Sequence, residues 1–153
     1  MHLLANGGIT DGIRRAFVVY LASHNRPLHE VLFPPLRDVT YEFEANFNGM
    51  TSEPVELNAL LAARDEMITT LHAGLDADER AFLISLAAGK PAWDRLGLPH
   101  LNALPAIQWK LQNLEKLKAT NQGKFEAQAD ELESKIAAIA TEEKGQPPSV
   151  PKG

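Results

Sequence analysis

The 153-residue chain contains no cysteine. That absence removes disulfide frameworks, thiolate zinc sites, iron-sulfur clusters and thiol nucleophiles together. Long apolar runs are also missing: the longest nearly continuous stretch, Ala16 to Ala22, falls far short of the ~20 residues a membrane helix needs. The start, Met1 to Gly8, has no basic segment leading into an apolar one, so no secretory leader is expected. Positive charge is in deficit, with 15 Lys plus Arg against 20 Asp plus Glu and a formal net charge of -5. An acidic chain lacks the overall electrostatic footprint of a nucleic-acid binder, although a local basic stripe remains open. These absences predict a cytoplasmic protein with no membrane contact. What is present, 44% hydrophobic and 23% charged residues, suits one globular domain with a sizeable core.

Strand-like alternation is brief, whereas apolar residues recur at three- and four-residue spacing between proline and glycine breaks. The pattern predicts an all-α fold, a single bundle of about five to seven helices with short proline- and glycine-rich connectors. Gly7-Gly8 reads as a flexible entry, and Thr10 or Asp11 can cap a first helix reaching about Ser23. Its stripe is read as Ile13, Phe17, Tyr20 and Leu21, with Val18 and Val19 apolar on the other side. About two turns follow from Pro27 to Phe33. Leu36, Val39, Phe43 and Phe47 then predict an amphipathic helix ending at Gly49. A helix over about Asn58 to Ala73 is expected to end at Gly74. Asp76 with Glu79 has the form of a capping box, before a helix stopped by Gly89 and Pro91. The connector Ala92 to Leu104 is too apolar to be loose, so short packed turns are expected. Pro105 suits the first position of a helix through about Thr120. A last helix, about Lys124 to Glu143, carries Phe125, Ala129, Leu132, Ile136 and Ile139 on one stripe. The domain is thus read as residues 1–144, with 145–153 a disordered tail holding little to bury.

No constellation presents a complete catalytic site. Asp76-Ala-Asp78 has the letters of a metal-binding pair, but no Gly-Ser phosphate turn precedes it and Asp76 is placed to cap. Glu42 and Glu44 would diverge by about 200° on a helix, leaving a solvated pair around Phe43. Arg95 to His100 has roughly the spacing used by all-helical ribonucleases of the HEPN type. Leu96 takes the polar position, however, and Gly97 and Pro99 break the helix that the geometry requires. His24 and His29 stand five apart across Pro27, not the four of a helical metal pair, and are read as surface or capping residues. Ser23 lacks the glycines of a nucleophile elbow and is read as ending the first helix. Neither catalytic residues nor metal ligands are therefore assigned.

The most pointed surface feature is the WKLQNLEKLK run at 109–118. Trp109, Asn113 and Lys116 fall at i, i+4 and i+7, while Leu111 and Leu114 face the core. With Lys110 and Lys118 alongside, an exposed Trp could stack on a base or anchor a partner. The competing reading packs Trp109 against the connector that holds Trp93, with the lysines merely solvated.

Four stretches point to a family: FVVYLASHNRPLHEVLFPPLRD at 17–38, FNGMTSEPV at 47–55, LLAARDE at 60–66 and LPAIQWKLQNLEKL at 104–117. Together they resemble the helical C-terminal part of AbiEii/AbiGii-type nucleotidyltransferases, the toxins of bacterial type IV abortive-infection toxin-antitoxin systems. The resemblance covers about Asp11 to Ile139 and lies in helical motifs rather than catalytic ones. It implies a companion N-terminal half, absent here, that carries the Gly-Ser turn, the paired carboxylates, magnesium and NTP. None of the family's catalytic residues maps onto this chain. The expectation is a non-catalytic module offering surface to a catalytic half, a protein partner or a second copy. The alternative is an RNA- or nucleotide-binding module using Trp109, Lys110, Asn113 and Lys116.

Overall fold

The computed structural model describes residues 7–47, 49–51 and 54–145. Among these residues the chain is all-helical and contains no strand. Thr10 caps α1 (Asp11–Ser23), its hydroxyl oxygen accepting from the Ile13 N–H at 3.3 Å. The short α2 (Leu28–Leu32) follows Pro27. Next, α3 (Thr40–Glu42) widens into a π-helical turn over Phe43–Phe47. The 18-residue α4 (Leu57–Gly74) leads into α5 (Ala77–Ala87). Two 3-10 turns, Trp93–Leu96 and Pro99–Ala103, connect to α6 (Pro105–Thr120), and α7 (Gln122–Gly145) completes the described chain.

At the centre lies α5, where Phe82, Leu83 and Leu86 are fully buried. Each such side chain contributes roughly 2–3 kcal/mol relative to exposure. Around it pack Val18, Leu21 and Ala22 of α1, Leu28 and Leu32 of α2, Ile107 of α6, and Leu132 and Ile136 of α7. Trp93 from the first 3-10 turn tilts against Phe82 with ring centroids 5.5 Å apart. The start of α5 is held by a complete capping box: Asp76 Oδ1 accepts from the Glu79 N–H at 2.8 Å and Glu79 Oε2 from the Asp76 N–H at 3.1 Å. Its end is a left-handed stop at Gly89, φ +73°, where a side chain would be strained. Local signals in the sequence therefore place α5, α6 and α7 well.

Four expectations are corrected. Of the expected α1 stripe, Leu21 is buried and Phe17 packs against the core, but the buried face is completed by Val18 and Ala22, whereas Ile13 and Tyr20 are exposed. At 100° per residue the expected and observed faces share Leu21 and their centres lie about 110° apart, and periodicity cannot rank one above the other. The helix expected from Leu36 begins only at Thr40. Asp38 Oδ1 accepts from both the Thr40 N–H, at 2.9 Å, and the Thr40 hydroxyl, at 2.6 Å, and such a side-chain turn competes with helical bonding over the preceding residues. Leu36 and Phe47 are accordingly exposed rather than core. Helix α4 does end at Gly74 as expected, but not through a left-handed glycine; Gly74 instead makes room for Arg14, whose Cδ would lie 3.3 Å from a Cβ there. His29 is not a surface residue but buried on α2, with Nε2 3.4 Å from Glu131 of α7. The expected tail disorder falls almost wholly outside the described residues, and α7 itself reaches Gly145.

Candidate functional site

Two regions stand out, one polar and one apolar. The polar one begins with α6, where the four singled-out residues divide. Trp109 is 59% exposed and Lys116 is exposed, whereas Lys110 is only 4% exposed. Trp93 occupies its own place against Phe82. Lys110 Nζ donates to the carbonyl of His24 at 2.5 Å and of Arg26 at 3.0 Å. These oxygens lie just past the end of α1, which carries no basic residue in its last turn. A cation from α6 thus meets the negative end of the α1 dipole. No carboxylate offsets this burial, and desolvation brings the Lys110 pKa down to about 8. Asn113, one turn on, donates from Nδ2 to Asn25 Oδ1 at 2.9 Å. Lys118 lies elsewhere, its Nζ 5.6 Å from the centre of the Phe125 ring.

Lys110 and Asn113 consequently line a cavity of about 160 Å³ between the α1–α2 loop, α6 and α7, together with Arg26, Lys124 and Gln128. Arg26 is committed to Glu30 at 2.8 Å. The sequence reading joined Lys110 and Asn113 to a Trp109 surface. It missed Arg26, Lys124 and Gln128 because only long-range packing of the loop and α7 brings them there, and no spacing signals that.

The apolar region surrounds α4. None of this helix's 18 residues is fully buried. Its C-terminal part is anchored: the His72 Nε2 lies 2.7 Å from the Leu32 carbonyl oxygen, and the His72 ring sits 4.6 Å from that of Phe33. Lys135 of α7 covers Phe33, with Nζ 5.7 Å from the ring centre. Alongside runs a groove of about 360 Å³ lined by Phe17, Val31, Leu36, Val39, Met67 and Leu71. Tyr41 of α3 and Met50, which follows the π-helical turn, are each 78% exposed.

The remaining sequence candidates are dispersed. Arg95 pairs with Asp78 at 2.8 Å rather than with His100. Ser23 ends α1, its hydroxyl donating to the Tyr20 carbonyl at 3.0 Å. His24 Nδ1 accepts from the Arg26 N–H at 3.1 Å. Glu42 and Glu44 are exposed around a half-buried Phe43. Among the described residues no group of three or more His, Asp or Glu side chains could hold a metal ion. No described helix is long and apolar enough to cross a membrane. A comparison of the chain with protein-family models, with curated proteins and with solved structures finds no match.

Proposed function

We propose that this chain is a helical interaction module, non-catalytic by itself, that docks on a cytoplasmic protein partner through the apolar surface around α3 and α4. One observation carries the reading: an 18-residue helix with no fully buried side chain borders an apolar groove whose lining includes the exposed Leu36 and Met67. Contiguous apolar surface of this kind marks interaction sites in water-exposed proteins. The resemblance to the helical part of AbiEii/AbiGii-type toxins supports the same reading, with the family's catalytic half as partner. Any magnesium and NTP would then belong to that half, since the described residues of this chain bring together no carboxylate set for the ion.

Light scattering behind gel filtration, with and without such a catalytic half supplied in trans, tests the proposal. Self-association or a stoichiometric complex is the expected outcome. A chain that stays monomeric and binds no catalytic half would overturn it.

A second reading, RNA or nucleotide binding, retains one favourable observation, the exposed Trp109 with Lys116 two turns on. Burial takes Lys110 out of that face. Titration with tRNA and with NTP at low and moderate salt distinguishes this reading, because phosphate contacts weaken steeply with salt. No signal at low salt removes it.

A further inference from the structure

Lys110 is a buried cation held only by dipoles. Its two partners are backbone carbonyls, and an ammonium has three N–H donors, so one donor remains on a side chain that lines a cavity. Buried lysines are ordinarily paired with a carboxylate. Here no Asp or Glu lines the cavity, while a second cation, Lys124, does. Lys124 forms no ion pair among the described residues. Arg26 brings a third positive charge but is already matched by Glu30. The lining of this half-open cavity thus carries an excess of positive charge and includes no carboxylate to balance it.

The remaining wall narrows the chemistry. Leu114 and Phe125 present apolar surface to the same space, and Asn113 and Gln128 add amides. A volume of about 160 Å³ is comparable to the ~150 Å³ that accommodates a benzene ring in an engineered cavity. A bare inorganic anion would leave the apolar wall unfilled, and a neutral hydrocarbon would leave the two ammonium groups unmatched.

We infer that this cavity binds a small organic carboxylate with a compact apolar body, its charged end on Lys110 and Lys124 and its body against Leu114 and Phe125. None of these residues supports the docking reading of α3 and α4, so the two stand or fall separately.

Benzoate is a suitable probe. The full chain, labelled with nitrogen-15, is titrated at constant ionic strength with benzoate, with inorganic phosphate and with benzyl alcohol. Benzoate is expected to move the amide signals of Lys110, Asn113, Phe125 and Gln128 saturably at millimolar concentration, phosphate and benzyl alcohol far more weakly. Lys124→Gln, on an exposed residue away from the core, should weaken benzoate binding roughly tenfold, the loss of one charge-assisted contact. Lys110→Met should abolish it; should that variant fail to fold, Lys124→Gln still decides. Absence of saturable shifts overturns the inference. So does unchanged affinity in Lys124→Gln, or binding of benzyl alcohol or phosphate as tight as that of benzoate.

Discussion

Arg14 Nε donates to Glu79 Oε2 at 2.8 Å, and the same oxygen accepts the Asp76 N–H that closes the α5 capping box. One carboxylate therefore caps the start of α5 and ties it to α1 across 65 residues. Arg14 also donates to Asp11 Oδ1 at 2.6 Å and approaches Asp76 Oδ2 at 3.7 Å, while Glu79 is almost wholly buried.

Removing the arginine leaves that carboxylate uncompensated. Arg14→Met is expected to cost about 3 kcal/mol, the scale of a broken buried pair, and to lower the melting temperature by roughly 6–12 °C in a chain of this size. Adding Glu79→Gln should recover part of the loss, because the amide carries no charge. A single variant that melts with the native chain would show the pair to be energetically idle.

Lys110 gives the fold a defined pH dependence. Its pKa is about 8 in the folded chain and about 10.4 when unfolded, so between these values the unfolded state binds more protons and stability rises with pH. The group's cost is present in full below pH 8 and is relieved as pH climbs to about 10.4, a gain on the order of 3 kcal/mol. Lys110→Met should lack this rise. Urea denaturation of both proteins at pH 7, 9 and 10 checks the prediction, and parallel profiles refute it. The neighbouring groups to account for are His24, Arg26 and Lys124.

Gly89 sits at φ +73° with the Phe125 ring 3.7 Å from where a Cβ would stand. Gly89→Ala is therefore expected to destabilise by about 1–2 kcal/mol through the left-handed backbone, measured by denaturant midpoint. An unchanged midpoint would mean that the stop after α5 tolerates an ordinary residue.

On the apolar surface the expected signs differ. Leu36→Lys, Tyr41→Ser and Met50→Glu combined should change stability by no more than about 1 kcal/mol, since exposed positions rarely matter more. The same triple variant should lose partner binding or self-association in light scattering. Retention of full binding by a folded triple variant would move the interface elsewhere.

Whatever depends on a few adjacent residues was legible in the sequence. Thr10 as a cap, the Asp76–Glu79 box, Gly89 as a stop and Pro105 as the first residue of α6 all appear as read, because each acts on backbone groups within one turn, Pro105 by lacking an N–H that would have no partner there. The stripe of Phe125, Leu132 and Ile136 on α7 is buried as its spacing predicts. Where the sequence offered two apolar faces, as on α1, the choice lay with distant partners. Lys110 shows the same limit for the candidate site: beside an exposed Trp it reads as a surface cation. Only the approach of the 24–26 loop turns it inward.

Because α4 is fastened near its C-terminal end, through His72 on Leu32 and Phe33, it should loosen unevenly. Its start has no side-chain cap, so the amides of its first turn should exchange with deuterium by local fraying, while those beside His72 wait for larger openings. Occupation of the neighbouring groove, which Met67 and Leu71 line, would slow exchange most in the C-terminal half and steepen that gradient. Deuterium uptake along this one helix can therefore report a bound partner even before the partner has been identified.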